Sequence, residues 1–161
     1  MDPLTEAFQH HTWATERLIE HLRGLAPAAL TATAPGVYGE VLATLSHLLA
    51  ADGSYLSYLE GGDLPPRTGP DTTRPLTELA DQLRDQAVRW RIVTARIGEV
   101  DVTLPARGDR PVLPHATNLL VAQALHHGDD HRTQICTVLT VNGYESPDLD
   151  VWAYWMDRRA E

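Results

Sequence analysis

Apolar residues recur at helical spacing in four long segments of the chain. These segments run from residue 3 to about 25, from 37 to about 59, from 75 to near 98 and from 117 to about 142. Asp2 followed by Pro3 is typical of a helix start, because the carboxylate caps the first turn and proline is tolerated there. Asn142 and Gly143 form a typical helix stop. The pattern predicts an all-α fold, a four-helix bundle that forms one domain over residues 1–161.

Two connections and a tail complete the predicted architecture. Residues 61–74 are rich in glycine and proline and predict a surface crossover long enough to span the bundle. Residues 99–114 combine short β-favouring runs with proline and glycine, and they predict an irregular crossover with at most a brief hairpin. A short terminal helix is expected after these, with Trp152 and Trp155 as anchors that dock it on the bundle or on a partner chain.

The third and fourth helices carry more specific predictions. The third helix is predicted to bury a stripe made of Leu76, Leu79, Leu83, Val88, Ile92 and Val93. Thr117 is a candidate cap for the fourth helix, because a hydroxyl at that place can accept hydrogen bonds from free backbone N–H groups. These assignments predict which faces of the two helices meet the core.

Composition and charge disfavour several classes of function. The formal net charge is −9 and the 13 basic residues are scattered, whereas binding nucleic acid or an anionic membrane needs a concentrated basic surface. The apolar stretches are shorter than the roughly 20 residues that span a bilayer. Cys136 is the single cysteine, and the first residues lack the pattern of a signal peptide. We therefore expect a cytoplasmic protein that acts on a small molecule and binds neither nucleic acid nor membrane.

Histidine positions point to a metal site. His127 and His131 lie four residues apart in the predicted fourth helix, so both imidazoles project from one face and can reach one ion. The same H-x-x-x-H spacing occurs in metalloproteases, in which a glutamate after the first histidine activates water. Gly128 occupies that position here, which argues against this peptidase chemistry. Because glycine weakens a helix, Gly128 also indicates a packing or functional requirement.

A third ligand is required, because catalytic zinc, nickel or iron usually takes three protein ligands and leaves positions open for substrate. His47 is the candidate, since it falls on the apolar stripe of the second helix, where an imidazole needs a polar partner. A hydrogen-bonded core histidine is the alternative interpretation, and spacing alone does not decide between the two. We interpret the other histidines, including His11 on the first helix, as residues without a role at the metal.

Three segments, taken in order, resemble the DinB/YfiT-like family of metalloenzymes. Residues 8–25 resemble its opening helix, with the letters WAT in place of a Trp-Ala-Asn-like motif. Residues 36–62 resemble its second helix, and residues 124–135 resemble its closing helix, usually H-E-x-x-H-R-G-Q. The matching positions are Gly36, Gly39, Leu45, His47, Asp52, His127, His131, Arg132 and Gln134. The departures are Gly128, where an acidic residue is common, and Thr133, where glycine is common.

The resemblance implies a bundle with long crossover connections and a short C-terminal helix, often a homodimer, with His47, His127 and His131 around Zn, Ni or Fe. Family members with assigned activity include thiol-dependent S-transferases and the mycothiol-dependent maleylpyruvate isomerase. The implied function is therefore that of a metal-dependent S-transferase for a low-molecular-weight thiol of the mycothiol or bacillithiol type, with mycothiol as the candidate cosubstrate.

Two other functions stay open on the sequence. Metal-assisted hydrolysis would use a carboxylate such as Asp130 as the base. A non-catalytic, stress-related protein would use the bundle cavity to sequester a metal or another ligand. Trp13 and Tyr55 are candidate aromatic walls of a pocket, and Gln123 lies one turn before His127. Ordinary packing explains each of these three equally well.

Overall fold

The computed structural model describes residues 2–62 and 72–159. In that part of the chain the long elements are helices, namely α1 (Pro3–Arg23), α2 (Pro27–Leu30), α3 (Val41–Leu59), α4 (Leu76–Ala95), α5 (Thr117–Val141) and α6 (Val151–Asp157). A 3-10 turn, Ile97–Glu99, follows α4. The all-α prediction is confirmed. Most of the predicted crossover at 61–74, namely residues 63–71, lies outside the described residues.

The four long helices form the bundle. Helix α1 packs against α4 and α5, and α3 packs against the same two helices. The buried apolar side chains form two clusters, one containing Leu18, Leu45 and Ile135 and the other containing Phe8 and Leu56. Along α1, α3 and α5, the residues between these two clusters include buried polar side chains. His11, His127 and His131 lie in this polar layer between the clusters.

The start of α1 follows local chemistry, whereas the start of α3 departs from the prediction. The Asp2 side chain accepts from the backbone N–H groups of Leu4 and Thr5, both at 3.0 Å, as expected for a cap before Pro3. The second long helix was predicted from residue 37, but α3 begins at Val41. Glu40, the residue before it, has an extended backbone (φ −61°, ψ 152°), and the Tyr38 N–H donates to the Gln134 side chain of α5 instead of to a helical carbonyl.

The predicted stripe of α4 was wrong at two positions. Val88 and Ile92 are 47% and 56% exposed, whereas Trp90 is buried and its ring stacks on Phe8 with centroids 4.2 Å apart. The buried positions repeat as Leu79, Leu83, Gln86, Trp90 and Val93. Val88 stands two residues from both Gln86 and Trp90, which turns it about 200° around the helix and away from the core.

Helix α6 packs on α1 through Tyr154, which was not among the predicted anchors. Tyr154 is buried, and its hydroxyl donates to Glu6 Oε1 on α1 at 3.1 Å. Trp152 and Trp155, the predicted anchors, are 75% and 47% exposed in this chain. None of the helices among the described residues combines the length and the apolar character needed to cross a membrane.

The crossover between α4 and α5 contains the brief hairpin that the sequence allowed. Leu104 and Leu113 pair through two backbone hydrogen bonds of 2.9 and 3.0 Å. Thr117 is the first residue of α5 rather than its cap. Its hydroxyl donates to the Val100 carbonyl at 2.9 Å and accepts from the Val102 N–H at 3.1 Å, so it connects the crossover to the start of α5.

Replacing Thr117 with valine should destabilise the protein by about 1–3 kcal/mol, because the buried backbone groups of the crossover lose their partner. Thr117→Ser keeps the hydroxyl and should cost less. Chemical denaturation measures both. Thr140→Val, at an exposed position where the hydroxyl bonds only within its own helix, is the control. Equal stability of the Thr117→Val variant and the unchanged protein would contradict this role.

Candidate metal centre

Three imidazoles converge at one point on the bundle. His47 projects from α3, and His127 and His131 project from α5. His127 Nε2 lies 3.1 Å from His47 Nε2 and 3.1 Å from His131 Nε2. The ligand atoms of the three residues all lie within 4.8 Å of one another, so one metal ion can be reached by all three.

The donor set fits a divalent transition metal. Because Zn–N bonds are about 2.0–2.1 Å long, two nitrogens on a tetrahedral zinc ion lie roughly 3.3 Å apart. The 3.1 Å separations are close to that spacing. His131 is buried, whereas His47 and His127 are half-buried, so the cluster reaches the surface of the bundle. Three protein ligands near the surface match an open site rather than a closed structural one.

The pKa of His127 favours a role as a metal ligand. Burial, with smaller contributions from His131 and His47, lowers the pKa of His127 to about 4. The ring is therefore neutral near pH 7 and keeps a lone pair for an ion, since only neutral imidazole binds metals. Its Nδ1 atom is buried and has no hydrogen-bond partner among the described residues.

His131 and His47 are held by neighbours outside the cluster. Gln134 Oε1 lies 3.2 Å from His131 Nδ1 and accepts from the Tyr38 backbone N–H at 3.1 Å. An Nδ1–H on His131 donates to this oxygen and leaves Nε2 available to an ion. The Tyr38 ring stacks on His47 with centroids 4.3 Å apart. The loop before α3 thus covers one side of the cluster.

The weaker pocket candidates divide between the site and other regions. The Tyr55 ring meets His127 edge-on at 5.9 Å, and its hydroxyl is 3.5 Å from Gln123 Nε2. Asp130 is exposed, and its Oδ2 accepts from Gln134 Nε2 at 3.0 Å.

Trp13 lies away from the cluster, against the C-terminal helix α6. Its indole N–H donates to Asp157 at 2.8 Å, and its ring contacts Tyr154.

Beside the cluster lies a buried polar network that sequence reasoning missed. His11, which was interpreted as a residue without a role at the metal, is buried on α1 with its Nε2 2.7 Å from Asp52 Oδ2. Arg132 on α5 donates to the His11 carbonyl at 3.2 Å and to the Thr15 hydroxyl at 3.0 Å. Its other nitrogen pairs with Asp129. The network joins α1, α3 and α5.

The hydrogen bonds define the state of His11. Arg132 Nη1 lies 3.3 Å from His11 Nδ1, and a guanidinium can only donate. Nδ1 is therefore the acceptor, and the ring proton is on Nε2, where it is donated to Asp52. Burial lowers the pKa of Arg132, while the Asp129 carboxylate acts in the opposite direction.

Two signals in the sequence pointed to this network without naming its members. Asp52 interrupts the apolar stripe of the second long helix, and a buried carboxylate requires partners. Gly128 interrupts the fourth long helix, and a Cβ atom at this position would lie 2.3 Å from His11 Cε1 and 2.7 Å from His11 Nδ1. The missing information was that both meet His11 on α1, which precedes Gly128 by more than a hundred residues.

Gly128→Ala should destabilise the protein by about 1–3 kcal/mol through overpacking, even though alanine is favoured by about 1 kcal/mol inside a helix. The cost should shrink in a His11→Ala background, because the ring that meets the new methyl group is then absent. Thermal or urea unfolding of the four proteins measures this coupling.

Gly98→Ala is the matched control, since a Cβ at Gly98 meets nothing within 4 Å. Its effect should stay within about 0.5 kcal/mol. The same cost for Gly128→Ala with and without the His11 ring would show that this contact does not explain the glycine.

Residues 1–160 match the model of the DinB family, so the match includes every helix described above. Curated proteins offer no match to this sequence.

Proposed function

The chain belongs to the DinB family, and on that premise we propose that it is a metal-dependent enzyme in which His47, His127 and His131 hold one divalent ion. Its proposed reaction is transfer of a low-molecular-weight thiol, of the mycothiol or bacillithiol type, to a small electrophile. The observation that carries the proposal is the approach of three imidazole nitrogens around His127 Nε2, with two distances of 3.1 Å. Imidazole ligands suit Zn, Ni and Fe, which are the proposed ions.

The surroundings of the cluster support a site that admits substrate. His47, His127 and His131 would hold a divalent ion, which would lower the pKa of a thiol or water that joined it. The Gln134 side-chain oxygen contacts His131 Nδ1 and so orients that ring. The Gln134 amide nitrogen donates to Asp130. Tyr38 and Tyr55 flank the cluster with aromatic rings that can pack against an organic substrate.

Two features bear on the nucleophile. Cys136 is the single cysteine, and burial raises the pKa of its thiol, so the nucleophilic sulfur is expected to come from a cosubstrate. Hydrolysis needs a base within hydrogen-bond reach of water, and the candidate base, Asp130, is exposed, with its Oδ2 accepting from Gln134 Nε2 at 3.0 Å. In thiol transfer the new S–C bond forms as the leaving group departs and the thiol proton passes to solvent.

A homodimer is part of the same proposal. Support comes from α6, where Val151, Trp152 and Met156 are exposed. A row of large apolar side chains on one helix is typical of a surface that another molecule covers.

The purified protein should bind one equivalent of metal, and His47→Ala, His127→Ala and His131→Ala should each weaken binding. We expect a loss of more than about 100-fold, because even the outer partners of metal ligands cost 10–100-fold when removed. Competition with a chromophoric chelator measures affinity, and elemental analysis identifies the ion.

His126→Ala is the matched control, because His126 is exposed and points about 100° away from its neighbour His127 around the helix. Its affinity should equal that of the unchanged protein. A trace metal content in the unchanged protein, or equal affinities for all four variants, would refute the metal centre.

With metal restored, the protein should conjugate mycothiol or bacillithiol to an electrophile, and the metal-free protein should be inactive. Glutathione serves as the comparison thiol, and product formation is followed by mass spectrometry. Metal-free protein that conjugates at the same rate would overturn the transferase proposal. Hydrolysis of esters or lactones without thiol would identify a hydrolase instead, and a bound ion without any turnover would identify a binding protein.

A further inference from the structure

Asp52 lies inside the bundle with only one of its carboxylate oxygens bound. The residue is 1% exposed, and Oδ2 accepts from His11 Nε2 at 2.7 Å. Oδ1 is also buried, and it has no hydrogen-bond partner among the described residues. A buried carboxylate oxygen without a donor is costly, so its neighbourhood should contain a group that needs an acceptor.

His127 presents such a group. Its Nε2 faces His47 and His131, so the opposite ring nitrogen, Nδ1, is turned into the protein, where it is buried and unpartnered. For Nε2 to be free for an ion, the ring proton must be on Nδ1. That N–H then needs an acceptor, and in metal sites the acceptor is commonly a carboxylate, a carbonyl or a water.

Contacts on both sides of Asp52 bring it to His127. Tyr55, three residues along the same face of α3, meets the His127 ring edge-on at 5.9 Å. His11, which holds Asp52, packs on Gly128, the residue after His127. Burial has the largest effect on the pKa of both Tyr55 and His127, raising the first and lowering the second; the Asp52 charge acts upward on both and so opposes burial at His127.

We propose that Asp52 is the positioning residue of the metal centre. Its Oδ1 accepts the Nδ1–H of His127, directly after a small ring rotation or through one internal water, and so keeps Nε2 free for the ion. His11 holds the carboxylate from the other side, and Arg132 binds His11. This inference rests on the proposed metal centre, because the role of Asp52 is to prepare one of its ligands.

Nitrogen-15 NMR of the histidine rings in metal-free protein tests the proposal without any activity measurement. In the unchanged protein, His127 should be the Nδ1–H tautomer. In Asp52→Asn, the amide oxygen accepts from His11 and the amide N–H₂ faces His127, so the His127 proton should move to Nε2. Metal affinity should fall 10–100-fold in the same variant.

Asp129→Asn is the matched control, since it removes a carboxylate that also belongs to the network but that pairs, within the described part of the chain, only with Arg132. It should change neither the tautomer nor the affinity. The tautomer of the unchanged protein remains decisive even if Asp52→Asn fails to fold. An Nε2–H tautomer there, or an Nδ1–H tautomer that persists in Asp52→Asn with unchanged affinity, would overturn the proposal.

The two measurements separate the two hypotheses. Failure of the unchanged protein to bind metal would refute the proposed function, while the ring tautomer would still decide whether Asp52 and His127 are linked. Tight metal binding by Asp52→Asn would refute the positioning role and leave the three-histidine centre intact.

Discussion

The carboxylate of Asp52 is buried at the meeting point of three helices, and it has to be compensated there. Removing such a charge from water costs several kcal/mol unless partners replace the solvent. His11 from α1 is the bound partner, and Arg132 from α5 lies behind it. Because all three groups are nearly excluded from solvent, the helices can rotate little relative to one another without breaking the network. The faces that carry His47 and His127 are set by this constraint.

The network also explains how the bundle combines a stable core with a polar site. Apolar clusters lie on both sides of the polar layer, and aromatic contacts from Phe8 and Trp90 close it against α4. The three candidate ligands therefore project from long helices rather than from loops, which favours a preformed geometry. Tyr38, which covers one side of the cluster, belongs to the loop before α3 and is held there by its N–H bond to Gln134 and by stacking on His47.

Properties set by local geometry could be predicted from the sequence. The all-α class and the shared face of His127 and His131 depend only on helical periodicity, and the Asp2 cap depends on neighbouring residues. Burial and long-range partners could not be predicted in the same way. Val88 and Trp90 compete for one core position, and only the packing of α4 on α1 decides between them. His11 looks ordinary in sequence because its partners lie on two other helices.

Gly128 shows how the departure from the family motif and the buried network belong together. The closing motif commonly carries an acidic residue at this position, and its side chain would project toward α1. Here the His11 ring occupies that space, at 2.3 Å from where a Cβ would lie. A carboxylate at 128 would also add a negative charge beside Asp52 and Asp129, with Arg132 as the nearby cation. Gly128 on α5 therefore leaves the space that the His11 ring of α1 fills, and Asp52 of α3 is the buried acid of the polar layer.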